Sequence, residues 1–81
     1  MSAKGRIRVG ELEELRKWIR AVPFQPFQID LSSGRAFKVP HPDRILVTTG
    51  GMVAVEDDAG LVDVVAALHI TSIRSLRAAS A

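Results

Sequence analysis

Apolar residues recur at helical spacing near the start of the chain. Between residues 11 and 22 they occur every three or four positions, as Leu12, Leu15, Ile19 and Val22. This spacing predicts an apolar stripe along one side of a helix. Glutamates in the first turns and basic residues in the last are placed as the helix macrodipole favours, and Pro23 follows. We therefore predict a helix over 11–22, with Trp18 as a core anchor rather than a platform for a stacked ligand.

The hydrophobic period changes from helical to alternating after this helix. Residues 27–31 alternate between apolar and polar side chains, which predicts a half-buried strand. Gly34 can adopt the positive φ of a tight turn, and a return strand over 35–39 is expected to follow, with Phe37 and Val39 facing inward. Two more strands are predicted over 45–49 and 52–56, because both are rich in apolar residues and the glycine pair between them is typical of a hairpin.

Residues 61–76 fit two kinds of structure. Their apolar positions have helical spacing, whereas their many β-branched residues favour strands. Because the segment directly follows a hairpin turn at 57–60, we prefer a strand, a short turn over 67–69 and a final strand. A helix is the alternative. Residues 1–9 and 78–81 have little to bury and are expected to be frayed.

The stretch 35–47, RAFKVPHPDRILV, reads as a strand that is interrupted halfway and then starts again. Pro40 and Pro42 have no N–H to donate, so both cannot lie in a central ladder, and the chain is expected to turn a corner there. His41 should be exposed on this stiff backbone, with Asp43 two residues on. They offer a proton acceptor and a carboxylate as a possible corner site, although a solvated corner is the more common outcome.

Length and composition predict a single globular domain. The chain has 81 residues, of which 47% are hydrophobic and 25% are charged, and it has no cysteine for a disulfide or a metal. A domain of this size buries only about 60% of its unfolded surface, so a partner subunit would add stability. No stretch approaches the length of a membrane span or resembles a signal peptide. We therefore expect a cytoplasmic protein with no membrane partner.

Residue patterns of high specificity for catalysis do not occur. No serine has a histidine and a carboxylate at a spacing typical of nucleophilic catalysis. The acidic residues at 57–63 lack the alternating oxygen ligands of a calcium loop. A metal site at the two histidines and Asp43 would require the fold to bring them together. The chain is therefore predicted not to be an enzyme and to have no cofactor or bound metal.

Two short patches of the sequence resemble the Sm-like superfamily of small β-barrels. The pattern IxLxxGxxF at 29–37 resembles the start of its first motif, and HITSI at 69–73 resembles the end of the second motif in the bacterial RNA chaperone of that superfamily. The order of one helix and five short strands over 11–76 is similar too. Leu68 stands where that chaperone has a lysine, and Val39-Pro40 replaces the glycine at which its second strand bends.

The resemblance implies an α+β, mainly β fold. The N-terminal helix would precede a five-stranded, strongly bent antiparallel sheet or small barrel over 27–76. A second resemblance is to a family of small uncharacterised bacterial proteins with the pattern PFxPF…GR…VPHP, found here at 23–27, 34–35 and 39–42. That second resemblance implies no function.

Two functional hypotheses follow from the fold. The first is a non-catalytic module that forms a homo-oligomer through exposed strand edges, because edge pairing removes an aggregation liability and buries apolar surface. The alternative is an RNA-binding homo-oligomeric ring whose contacts come from His69, Arg74, Arg35 and Arg44. With one tryptophan, three phenylalanines and no tyrosine, few aromatic rings remain for base stacking once the core is filled.

Overall fold

The computed structural model describes residues 9–76, with side chains from residue 12 onward. It contains one helix, α1 (Val9–Arg20), and six strands: β1 (Phe27–Leu31), β2 (Ala36–Val39), β3 (Ile45–Val47), β4 (Met52–Glu56), β5 (Val62–Ala66) and β6 (Ile70–Ser75). Two 3-10 turns, Pro42–Arg44 and Ala67–His69, connect β2 to β3 and β5 to β6. The termini expected to be frayed lie outside the described residues, except that Val9 is the first residue of α1.

The strands form two antiparallel sheets. The first has the order β2-β1-β6 and the second β3-β4-β5. This confirms the α+β, mainly β class. Residues 61–76 form strands on either side of a 3-10 turn, as preferred over a helix. Their β-branched side chains fit a pleated surface well, so residue type outweighs the helical spacing of the apolar positions here.

The structure has six strands rather than five, because the proline corner divides the stretch 35–47 completely. β2 ends at Val39 in the first sheet, and β3 begins at Ile45 in the second. Pro42 starts the 3-10 turn between them, where its missing N–H removes no ladder hydrogen bond. Among the described residues no strand pairs with both sheets. The expected single bent sheet or closed barrel is therefore two separate sheets in hydrogen-bonding terms.

Helix α1 ends before the predicted position. Its last residue is Arg20, and Val22 is 95% exposed and does not extend the apolar stripe. The residue that precedes a proline is disfavoured in the helical region, which ends the helix ahead of Pro23. In the described part of the chain, no helix is long and apolar enough to cross a membrane.

The core lies between α1 and the two sheets. Its largest fully buried side chains are Phe27, Leu15, Ile29, Ile70, Val39 and Val53. Trp18 packs against this core, with its ring centroid 5.4 Å from that of Phe27. Its Nε1 donates a hydrogen bond to Glu14 at 3.2 Å. Trp18 therefore anchors the helix on the first sheet, as its position beside the stripe indicates.

Candidate interaction surface

The outward side chains of the second sheet are mostly apolar and exposed. We call this surface the outer face. Its apolar side chains are Leu46, Met52, Ala54, Val62, Val64 and Ala66, and the exposed Glu56 lies opposite Val62 on the same face. Leu46 is 66% exposed, Val62 and Val64 are each 59% exposed, and Met52 is 41% exposed. The register places Ala54 opposite both Leu46 and Val64, so these side chains are neighbours. These side chains form one contiguous exposed apolar surface, which makes the outer face the candidate interaction surface.

The outer face is apolar because the strands of the second sheet have mostly apolar residues at both their inward and their outward positions. In β4, Val53 and Val55 are buried while Met52 is exposed and Ala54 is half-buried. Strands that are covered on both faces have such continuous apolar runs. The runs ILV at 45–47 and MVAV at 52–55 carry this signal in the sequence. Predicting only where the strands lie does not reveal that the second sheet has apolar side chains on both faces.

Each sheet has two edge strands within the described residues, β2 and β6 in the first and β3 and β5 in the second. β5 pairs only with β4, and β6 pairs only with β1. Each therefore presents a row of backbone N–H and C=O groups to which no second described strand is paired, and such an edge is a template for another chain. The open edge of β5 adjoins the outer face. Backbone groups that could pair with another strand and exposed apolar side chains therefore lie next to each other there.

An open groove of about 480 Å³ lies beside β5. Residues 64–66 line one side, and the β1–β2 turn and His69 line the rest. Arg35 spans the two sheets, because its guanidinium lies 3.3 Å from the carboxylate of Asp63 and also 5.0 Å from the ring centroid of Phe37. The groove therefore leaves open volume next to β5.

Acidic side chains gather in the turn between β4 and β5. Glu56, Asp57 and Asp58 are all exposed. Asp57 accepts hydrogen bonds from two backbone N–H groups of the turn, both at 2.9 Å, and Asp58 lies 3.2 Å from Arg44. The Asp57 carboxylate therefore stabilises the turn. Among residues 9–76, no group of three or more metal-ligating side chains is placed to hold a metal ion.

Each arginine expected to contact RNA lies beside a carboxylate. The ion pairs are Arg74–Asp30 at 3.0 Å, Arg44–Asp58 at 3.2 Å and Arg35–Asp63 at 3.3 Å. His69 is exposed in the 3-10 turn before β6, where its carbonyl accepts a hydrogen bond from the N–H of Ser32 at 2.8 Å. Arg35 and His69 line the same groove. Phosphate contacts by these arginines would compete with carboxylates that already hold them.

Asp30 is the centre of a polar network that the sequence did not reveal. Gln28 donates a hydrogen bond to its Oδ1 at 2.8 Å, and Ser72 donates one to its Oδ2 at 2.7 Å. The guanidinium of Arg74 lies 3.0 Å from the same carboxylate. These interactions, with the Gln28 hydrogen bond the largest, hold the pKa of Asp30 below its usual range. The network stabilises the pairing of β6 with β1, because Ser72 in β6 lies directly opposite Asp30 in β1.

Replacing Asp30 with asparagine should lower the melting temperature at neutral pH but have little effect in strong acid. Because the folded-state pKa is depressed, the carboxylate contributes stability above its unfolded pKa of about 3.9, and this contribution is lost as the pH falls through the folded-state pKa. Thermal unfolding of both proteins between about pH 7 and about pH 2 measures the effect. A difference in melting temperature that stays constant across this range would contradict the assignment.

The corner residues His41 and Asp43 are both exposed. His41 is extended, with φ −143° and ψ 151°, and precedes the 3-10 turn Pro42–Arg44. The N–H of Arg44 donates a hydrogen bond to the carbonyl of His41 at 3.1 Å. The two prolines and this hydrogen bond define the backbone of the corner, so the imidazole is not required to hold it.

Replacing His41 with alanine is expected to change the free energy of unfolding by less than about 0.5 kcal/mol, as for other exposed side chains. The double substitution Pro40→Ala and Pro42→Ala should lower it by roughly 1–2 kcal/mol, because alanine gives the unfolded chain more freedom. Urea unfolding of both variants makes the comparison. Equal losses would mean that His41 makes a buried contact.

No protein-family model matches the chain, and neither a curated protein nor a solved structure does. The candidate surface is therefore identified from the exposures, register and charges of the chain itself. Its best-supported part is the outer face together with the open edge of β5.

Proposed function

We propose that the chain is a non-catalytic, Sm-like module that assembles with copies of itself by pairing exposed strand edges. The observation that carries this proposal is that an apolar outer face adjoins the open edge of β5. A second copy at this edge would supply backbone hydrogen bonds and would remove Val62 and Val64 from water. One contact would then cover both the open backbone edge and the exposed apolar side chains.

The apolar side chains alone support only weak association. Full burial of a valine, leucine or methionine contributes about 1.5–3 kcal/mol. Leu46, Met52, Val62 and Val64 are each about half exposed, so together they offer on the order of 5 kcal/mol. Association costs at least about 4 kcal/mol in lost freedom of motion. Backbone pairing along an edge is therefore needed for a stable assembly.

The order of the elements supports the Sm-like part of the proposal. If β2 and β3 are counted as one strand bent at the proline corner, five strands follow the helix, as the resemblance implies. A head-to-tail contact between two different edges forms a ring when its rotation closes. Four strands of the described chain, β2 and β6 in the first sheet and β3 and β5 in the second, pair with only one other strand, so each sheet has edges that suit such a contact.

The alternative function is RNA binding by the assembled ring. It is favoured by the groove that Arg35 and His69 share, since both side chains could reach one nucleotide there. It is weakened by the carboxylate beside each of the three arginines. Self-assembly without RNA is therefore the function we prefer.

Sedimentation analysis at micromolar concentrations tests both functions in one experiment. The expected result is a mass that is a multiple of 8.8 kDa and falls on dilution. A monomeric mass at every concentration would overturn the proposal. Co-sedimentation with a uridine-rich or adenine-rich oligonucleotide at low salt, lost at high salt, would favour the RNA alternative, because phosphate contacts weaken steeply with salt.

A further inference from the structure

The segment before α1 has a sequence that suits the open edge of β5. Its small or apolar positions are Ala3, Gly5 and Ile7, and its basic positions are Lys4, Arg6 and Arg8. These two sets alternate, and a period of two gives an extended segment one apolar side and one basic side. The segment therefore has the pattern of a strand that covers an apolar surface next to acidic groups.

We propose that residues 3–8 of one copy add as a strand to the open edge of β5 in a neighbouring copy. This inference rests on the proposed self-assembly and names the segment that pairs. Strand addition supplies partners for the backbone N–H and C=O groups along the edge, while alternate side chains determine which segment binds.

The two sides of the segment match the two sides of β5. Val62 and Val64 point outward, whereas Asp63 is half-buried on the inward side. Residues opposite each other on neighbouring strands share one face of the sheet. If Ile7 lies on the same face as Val62 and Val64, the added strand extends the outer face. The basic side chains of the segment then lie on the same face as Asp63.

Carboxylates outnumber cations along the β4–β5 hairpin. They are Glu56, Asp57, Asp58 and Asp63, and Arg44 and Arg35 pair with the last two. No ion pair within residues 9–76 involves Glu56 or Asp57. Of these carboxylates, Asp63 lies on the side of the basic residues, whereas Glu56 lies opposite Val62 on the outward side. Exposed ion pairs are individually weak, so the acidic hairpin favours a basic segment, while backbone hydrogen bonds hold it.

The size of the outer face favours a short segment over a face-to-face dimer. Three strands about 4.8 Å apart and five residues at about 3.4 Å each span roughly 14 by 17 Å. This is about 240 Å², well below the 800 Å² or so that each partner of a specific complex buries. The open groove of about 480 Å³ lies beside residues 64–66, on the side of β5 where the added strand would lie.

Charge neutralisation in the 81-residue chain tests this pairing. The triple variant Lys4→Gln, Arg6→Gln and Arg8→Gln should reduce the assembly to monomers at concentrations where the wild type is assembled. The matched control, Lys17→Gln, Arg20→Gln and Lys38→Gln, changes the net charge equally at exposed positions elsewhere. The control should keep the wild-type mass. Loss of assembly in both triple variants would mean that only net charge matters and would overturn the inference.

A synthetic peptide of residues 1–9 provides the second arm. In excess, it should dissociate the wild-type assembly and slow hydrogen exchange in β5, whereas the same peptide carrying Ile7→Asp should do neither. If the wild type assembles but neither the N-terminal triple variant nor the peptide alters its mass, the inference is wrong while the proposed self-assembly stands. If the wild type is monomeric throughout, the proposed function itself is wrong.

Discussion

Replacing Val64 with lysine should convert the assembly into monomers without unfolding them. Val64 is 59% exposed on the outward side of β5, so the substitution leaves the core intact. A lysine on an exposed edge strand opposes pairing with another chain, because its charge would have to be taken from water. Sedimentation should show the loss of assembly, while urea unfolding of the monomer should change by less than about 0.5 kcal/mol.

The chain offers a matched control for this substitution in Val22. Val22 is 95% exposed and lies in the connection between α1 and β1, outside both sheets. Val22→Lys introduces the same side chain and the same charge, and the assembly should keep its mass. A wild-type mass for Val64→Lys would contradict the proposed contact. Equal disassembly of both variants would attribute the effect to charge alone.

Replacing Phe27 with alanine should lower the free energy of unfolding more than any other substitution proposed above. The ring is fully buried and lies 5.4 Å from Trp18 and 5.8 Å from Phe24 between centroids. Removal of a buried phenylalanine costs about 3–5 kcal/mol, and a domain of this length has roughly 4–12 kcal/mol in all. The variant should therefore lose a large fraction of its free energy of unfolding, and its midpoint in a urea titration followed by far-ultraviolet circular dichroism should fall accordingly.

Phe37→Ala is the control for this core substitution. Phe37 is only half-buried and lies under the guanidinium of Arg35 at the edge of the first sheet. Phe37→Ala should lower the free energy of unfolding clearly less than Phe27→Ala does, since less apolar surface returns to water. Comparable losses would show that Phe27 is not the centre of the core.

The local elements could be predicted because their residues carry the relevant periods. The helical spacing of Leu12, Leu15 and Ile19 indicates α1, and the alternation in 27–31 indicates β1. In 61–76 the spacing and the residue types disagree, and the β-branched side chains decide the outcome. Helix bounds were less predictable, because Val22 continues the apolar spacing while the following proline ends the helix before it.

The candidate site depends on pairing between distant strands, which a local pattern does not contain. Val64 is a plausible core residue in the sequence, and only the pairing of β5 with β4 shows that it points outward. Arg74 is a free cation in the sequence, whereas the β1–β6 register places it beside Asp30. The division into two sheets has the same origin, since two prolines predict a corner but not where each half pairs.

Hydrogen exchange of the β5 backbone is the most direct test of the central claim that a second copy covers this edge. Half of the amides of Val62–Ala66 should point away from β4, because hydrogen bonds alternate along an antiparallel strand. At concentrations where the protein is assembled, these outward amides should exchange slowly, and dilution to the monomer should make them fast. If they exchange at the same rapid rate at both concentrations, the edge of β5 is open in the assembly and the account is wrong.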